Sequence, residues 1–380
     1  MTLICICLIG VSLTISLPLS WQLIGLGNRL GQIDRPDGQG HKQHTAQLPN
    51  TGGIAIALAV AVPIAAALIS GWLIDPDGWK GWLGPLGAHV EGLRRQTPLA
   101  MAVLVALAVL HVMGLVDDRR GLSARFKLLV EVLVAATLAA LFEIRIFQFL
   151  EELGPAGAAG SVILSTLWIV AIVNAMNMLD NMDGLAAGVG TIITCLYLAA
   201  TLLAEQWFIA ALCALLIGAL LGFGVFNFPT AKLYMGDAGS LVVGLLLAVI
   251  SVRTTYYQWP GAPGPEAPYP EGGPTGALDG SWYGMLMPIV VMAVPLYDMV
   301  TVSLIRLSQG RSPFVGDLNH FSHRLVRRGL SRHAAVIVIW LATAATGLGG
   351  VMFGSLAPWQ ALVVAAQAAV VVALLARLEF

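Results

Sequence analysis

Five aspartates stand at or beside the ends of apolar runs, where a carboxylate needs a partner, solvent or a task. Asp117 and Asp118 are adjacent, so together they can bind a hard cation or take a proton from a substrate; a solvated pair balanced by Arg119 and Arg120 is the ordinary alternative. Asn177, Asp180 and Asp183 recur at intervals of three, and if the helix continues through them they form a slowly spiralling polar stripe. Amides and carboxylates on such a stripe suit ribose hydroxyls, a uracil edge or a hydrated Mg²⁺. Capping by Asn181 and Asp183 is the plainer reading. A calcium loop is excluded, because Met182 interrupts the ligand spacing and the Glu required after the glycine is missing.

The fifth aspartate, Asp237, belongs to the segment Asn227 to Ser240. There Gly236 and Gly239 let backbone N–H groups approach phosphate oxygens, and Lys232 adds a point charge. Asp237 is a natural Mg²⁺ ligand, since that ion takes one or two carboxylates together with substrate phosphates. A later segment, Arg311 to Arg328, combines Asp317, Asn319, His320, His323 and Arg324, a neutral-to-cationic group suited to a diphosphate. Within it Phe321 and Leu325 predict a short interfacial helix, and Arg327 and Arg328 read as contacts to anionic lipid. Near the start of the chain, Lys42 and His44 can meet a phosphate, and Gly52-Gly53 permits close backbone approach. Asp298 is expected to hold a partner helix or a cationic residue.

The elements that must gather these residues are membrane helices. The 380 residues are 58% hydrophobic and only 11% charged, against about 25% charged in a soluble domain. Continuous apolar runs of roughly ~20 residues, without the alternation of a lipid-facing strand, predict an all-α, polytopic integral membrane protein. About eleven spans are expected, at 1–26, 53–74, 98–116, 126–143, 161–179, 184–204, 206–226, 239–252, 284–305, 333–356 and 358–377. The first run lacks a basic flank and a cleavage pattern, so it reads as a retained helix. With the N-terminus outside and the C-terminus cytoplasmic, every Lys and Arg except Lys80, Arg94, Arg95, Arg145 and Arg253 faces inward, as the positive-inside rule requires. The aspartates then share the cytoplasmic face. Residues 1–380 read as a single membrane domain with an external Gly/Pro-rich loop at 253–283 and a cytoplasmic basic loop at 306–332. Cys5, Cys7, Cys195 and Cys213 show no metal or disulfide spacing and read as packing residues. Gly184/Gly188 and Gly218/Gly222 read as close helix contacts.

Asp117-Asp118, Asn177 through Gly184, and Asn227 through Ser240, in this order and approximate spacing, resemble the polyprenyl-phosphate N-acetylhexosamine-1-phosphate transferases. This is the glycosyltransferase 4 family, which includes WecA-type and MraY-type enzymes. The resemblance runs from about Asp34 to Leu325. It implies transfer of a sugar 1-phosphate, GlcNAc-1-phosphate above others, from a UDP-N-acetylhexosamine to undecaprenyl or another polyprenyl phosphate at the cytoplasmic face of the inner membrane. The cofactor implied is Mg²⁺, with Mn²⁺ as its substitute; the partners implied are the two substrates and the bilayer, with no nucleic acid and with room for a homodimer. By motif position Asp237 resembles the principal metal ligand and Asn177 its neighbour in the metal set, while Asp117 resembles the catalytic residue meeting the lipid phosphate, supported by Asp118. Lys42, His44, Asp180, Asp183, Asn227, Lys232, His320, His323 and Arg324 are implied on the substrate side. Ser322 stands where the family often has a histidine, so a hydroxyl replaces one imidazole, and Thr45 and Asn50 are also departures. The missing three-histidine run favours UDP-GlcNAc over the UDP-MurNAc-pentapeptide of an MraY-type enzyme. An ion-coupled secondary transporter is the competing class, but it predicts acids near the bilayer midplane.

Overall fold

The structure is a computed structural model that describes residues 2–30, 48–73, 87, 89–254, 286–314 and 317–379. Lys42, His44 and nearly all of the 253–283 loop lie outside the described residues. Among the described residues fourteen α-helices follow in order: α1 (Thr2–Leu30), α2 (Gly52–Leu73), α3 (Val90–Arg95), α4 (Thr97–Arg120), α5 (Ala124–Leu141), α6 (Pro155–Leu179), α7 (Leu185–Leu203), α8 (Trp207–Asn227), α9 (Asp237–Arg253), α10 (Leu286–Val291), α11 (Ala293–Ser308), α12 (Phe321–Arg327), α13 (Arg332–Val351) and α14 (Pro358–Glu379). Eight of them, α1, α2, α4, α6, α7, α8, α13 and α14, are long and apolar enough to cross a membrane. The other expected positions are filled by α5, which carries Arg125, Lys127 and Glu131, by the 17-residue α9, and by α10 and α11, which are separate helices either side of Met292.

Helix α9 is the axis of the bundle. Every residue from Ala238 to Val252 is buried, and the helix packs against α6, α4 and α2. Small residues allow that closeness: a Cβ on Gly53 of α2 or on Gly114 of α4 would collide with the backbone at the start of α9. The ends of α2, α4 and α9 therefore meet nearly backbone to backbone. Around this axis, α1 lies along α8, where Gly218 and Gly222 leave room for Ser12 and Ser16. Those hydroxyls donate to the carbonyls of Leu215 and Ala219 at 2.6 and 2.7 Å, satisfying polar groups inside an apolar contact.

Two local expectations are corrected. The stripe through Asp180 and Asp183 does not form, because α6 ends at Leu179 and residues 180–184 turn, with Gly184 at φ 75°. The left-handed conformation there is the one glycine adopts without strain. The short helix α12 exists, but Phe321 and Leu325 are wholly buried in the core and do not face the interface.

Candidate active site

The end of α4, the first turn of α5, the end of α6 and the start of α9 converge on one cluster. Lys127 Nζ lies 2.7 Å from Asp117 Oδ2 and 2.9 Å from Asp237 Oδ2, so one ammonium bridges two carboxylates that are 110 and 10 residues away in sequence, Asp237 being the farther. Asp117 Oδ1 also accepts from the Leu122 amide at 2.6 Å, which folds the α4–α5 connection back onto it. Asn177 Nδ2 donates to Asp237 Oδ1 at 3.0 Å and to Ser240 Oγ at 2.9 Å. Ser240 in turn donates to the Gly236 carbonyl at 3.1 Å. Asp237 is thus held by a cation on one oxygen and an amide on the other.

Asp118 has a different job from its neighbour. Its Oδ1 accepts from Asn50 Nδ2 at 2.8 Å and from the Asp237 amide at 3.0 Å, and its Oδ2 accepts from the Ala238 amide at 3.2 Å. Helix α9 begins after Gly236, which has no side chain to cap it, so the carboxylate of another helix supplies the cap and meets the positive end of the helix dipole. Both Asp118 oxygens are so engaged at the start of α9, while Asp117 faces Lys127.

Several other expected substrate contacts are turned inward. Asn227 is buried and ties two loops together, accepting from the Gly184 amide and donating to the Leu233 carbonyl, both at 3.0 Å. Asp183 Oδ2 accepts from the Ala231 amide at 3.0 Å, reinforcing the same tie. Asn181 donates to the Met178 carbonyl at 2.8 Å and accepts from Ser322 Oγ at 2.5 Å, so the residue at the family's histidine position links α12 to the turn after α6. Asp180 remains partly accessible at the end of α6, and Lys232 is exposed.

Charged residues of α11 hold the segment before α12. Asp298, completely buried, accepts from His320 Nδ1 at 2.9 Å and from the Phe321 amide at 2.6 Å, and so caps α12 from outside. Arg306 reaches Asp317 at 3.1 Å and approaches His320 Nε2 at 3.4 Å. Burial by itself would raise the Asp317 carboxyl, but hydrogen bonds from Arg306 and from the Asn319 backbone and side chain outweigh it and hold the group below the usual carboxylate range. Both His320 nitrogens thus face internal partners. Arg324 is likewise consumed by a buried ion pair with Glu379. His323 is different: it is half-buried and makes no side-chain hydrogen bond among the described residues, and burial, with His320 and Arg332 nearby, pushes its pKa down to about 4. It stays neutral at working pH, able to donate or accept.

The sequence reading missed Lys127, which it counted only among the inward charges, and it treated Asn50 as a departure without a role. A cation in the connection that follows Asp117-Asp118 was the available signal for Lys127. Asn50 carried none.

Residues 100–255 match the family described as Glycosyl transferase family 4. The decaprenyl-phosphate N-acetylglucosaminephosphotransferase of Mycobacterium leprae is 31% identical over 362 residues, which cover 91% of this chain and 83% of that protein. The chain belongs to glycosyl transferase family 4. Within the family it is also similar to a probable undecaprenyl-phosphate N-acetylglucosaminyl 1-phosphate transferase of Bacillus subtilis, at 28% identity over 88% of this chain and 80% of that protein. Similarity to the phospho-N-acetylmuramoyl-pentapeptide-transferase of Geobacillus kaustophilus reaches 33% but covers only 64% of this chain and 74% of that protein. Family membership displaces the transporter reading. The 100–255 match contains Asp117, Lys127, Asn177 and Asp237, the residues of the convergent cluster.

Proposed function

We propose that this chain transfers N-acetylglucosamine 1-phosphate from UDP-GlcNAc to a polyprenyl phosphate such as undecaprenyl phosphate. A non-bridging oxygen of the lipid phosphate attacks the β-phosphorus, the bond from that phosphorus to the bridging oxygen breaks, and UMP leaves with the bridging oxygen. The observation that carries the reading is the Asp117–Lys127–Asp237 cluster, formed where four helix ends meet. It brings hard oxygen donors and a cation into one place, the two things that a transfer between phosphates needs.

Two carboxylates, of Asp117 and Asp237, flank one ammonium, and that donor set and negative excess fit a divalent, oxygen-seeking cation better than a soft one. Among the described residues no three His, Cys, Asp or Glu side chains form a cage, so Asp117 and Asp237 would hold Mg²⁺, or Mn²⁺, with the substrate phosphates completing its shell. Asn177 gives its N–H groups to Asp237 and Ser240, so it orients the ligand carboxylate, and its own amide oxygen would join the metal set. When bound, the ion neutralises charge on the diphosphate. Lys127 can turn from the carboxylates to a phosphate oxygen, and Asp117 faces the lipid phosphate. That phosphate has a second pKa near ~6, so it is largely ionised at neutral pH and needs little help from a base. Asp180 and His323 supply hydrogen bonds on the donor side; Lys232, Lys42 and His44 belong to the same side by motif position.

In this reading residues 1–380 form one inner-membrane transferase domain with the site at the cytoplasmic face and the 253–283 loop outside, an orientation that the distribution of Lys and Arg supports. Purified protein with Mg²⁺, undecaprenyl phosphate and a panel of UDP-hexosamines should release UMP, most rapidly with UDP-GlcNAc, and Asp237→Asn or Asp117→Asn should lower the rate by about 10² or more. No release with any donor sinks the activity; undiminished turnover in both variants sinks the assignment of the cluster.

A further inference from the structure

Arg324 was expected to meet a diphosphate, yet only 4% of it is exposed, and what it meets is Glu379 at the end of the last helix. The contact is a fork: Nε lies 3.0 Å from Oε2, and Nη2 lies 3.0 Å from Oε1. The same guanidinium donates from Nη2 to Thr301 Oγ1 at 3.1 Å and from Nη1 to the carbonyl of Asn319, the residue just before His320. Around Glu379 the Tyr297 hydroxyl donates to Oε1, and Arg328 Nε reaches the backbone carbonyl at 3.3 Å. Tyr297 also sets its ring edge-on to Phe321, the first residue of α12, with centroids 5.7 Å apart. One carboxylate from α14 therefore fixes the guanidinium that grips the chain on the N-terminal side of α12, and fixes the tyrosine that packs on its first turn.

A fully buried carboxylate is expensive unless its charge is paired and its lone pairs are satisfied, and satisfying this one takes groups from α11 and α12. The pairing joins residues 55 apart, so it forms only when α14 has docked. We propose that Glu379 is a positioning residue of the donor-binding segment, acting through Arg324 to set Asn319, His320 and hence the orientation of His323. The consequence for function rests on the donor-side reading of His323; the positioning itself does not. The last helix thereby becomes part of the site's construction without contacting substrate.

Full-length protein in detergent or nanodiscs tests this with two readouts. In Glu379→Gln, amide hydrogen exchange across residues 321–327 should accelerate on the order of tenfold, and KM for UDP-GlcNAc should rise on the order of tenfold while kcat changes less than about threefold. A double variant, Arg324→Met with Glu379→Leu, removes both charges and leaves no unpaired ion, so it should fold; its KM should stay raised because the grip on Asn319 is gone. Unchanged exchange in Glu379→Gln overturns the positioning, and a wild-type KM in the double variant overturns its consequence for donor binding. His323→Ala separates the two claims. If it leaves KM unchanged while exchange accelerates in Glu379→Gln, the donor-side reading fails and the clamp stands.

Discussion

Replacing Lys127 by Met keeps most of the side chain's length and removes the cation that bridges Asp117 and Asp237. Two effects of opposite sign should follow. The ammonium occupies the space between carboxylates that would hold a divalent ion, at 2.7 and 2.9 Å from their oxygens, so it competes with that ion by simple repulsion. A unit charge and a double charge about 4 Å apart repel by about 2 kcal/mol in a water-like dielectric and by about 8 kcal/mol at an effective value of 20. The Lys127 side chain is 25% exposed and the carboxylates 12% and 27%, so water reaches the cluster and the lower figure is the safer one. Two kcal/mol corresponds to roughly a 30-fold lower half-saturating Mg²⁺ concentration. Turnover should fall, because a phosphate oxygen loses its cationic partner in the transition state; a loss of about 3 kcal/mol is a drop in kcat on the order of 10². The assay is UMP release against Mg²⁺ concentration at saturating UDP-GlcNAc and undecaprenyl phosphate. A variant with an unchanged or higher Mg²⁺ requirement refutes the counter-charge role, and undiminished kcat refutes the role at phosphate.

Two further outcomes follow from the same geometry. Asp118→Ala strips the cap from α9 and the partner from Asn50, and should cost about 1–2 kcal/mol, read as a lower thermal midpoint, with Asp118→Asn recovering part of it; normal stability with abolished turnover would point instead to direct chemistry. His323 has its pKa depressed from 6.5 to about 4, so its contribution to stability is complete above about pH 6.5 and is lost as the pH falls toward 4, by roughly 3 kcal/mol. His323→Gln should flatten that part of the thermal midpoint's pH dependence, and an unaltered slope would exclude the group as its source.

The helices and the short list of chemically interesting residues were legible in the sequence for a local reason. A segment's hydropathy is a property of that segment, and the bilayer forces each apolar run to satisfy its own backbone hydrogen bonds. Placing Asp117, Asn177 and Asp237 at run ends was therefore enough to predict that they are used, and the helices Thr97–Arg120, Pro155–Leu179 and Asp237–Arg253 put them there. How each polar group is employed was not legible. Asp117 and Asp118 are neighbours of identical chemistry, yet one faces an ammonium and the other caps a helix, because Gly53 and Gly114 let α9 approach so closely that its first amides fall within reach of Asp118 alone. Likewise His320 and Arg324 look like phosphate ligands until Asp298 and Glu379 claim them. What the sequence alone determined is which residues are too costly to be idle in a membrane. Their partners were decided by tertiary packing, since an ion pair such as Lys127–Asp237 depends on a few ångströms between helices 110 residues apart, and no local pattern encodes that distance.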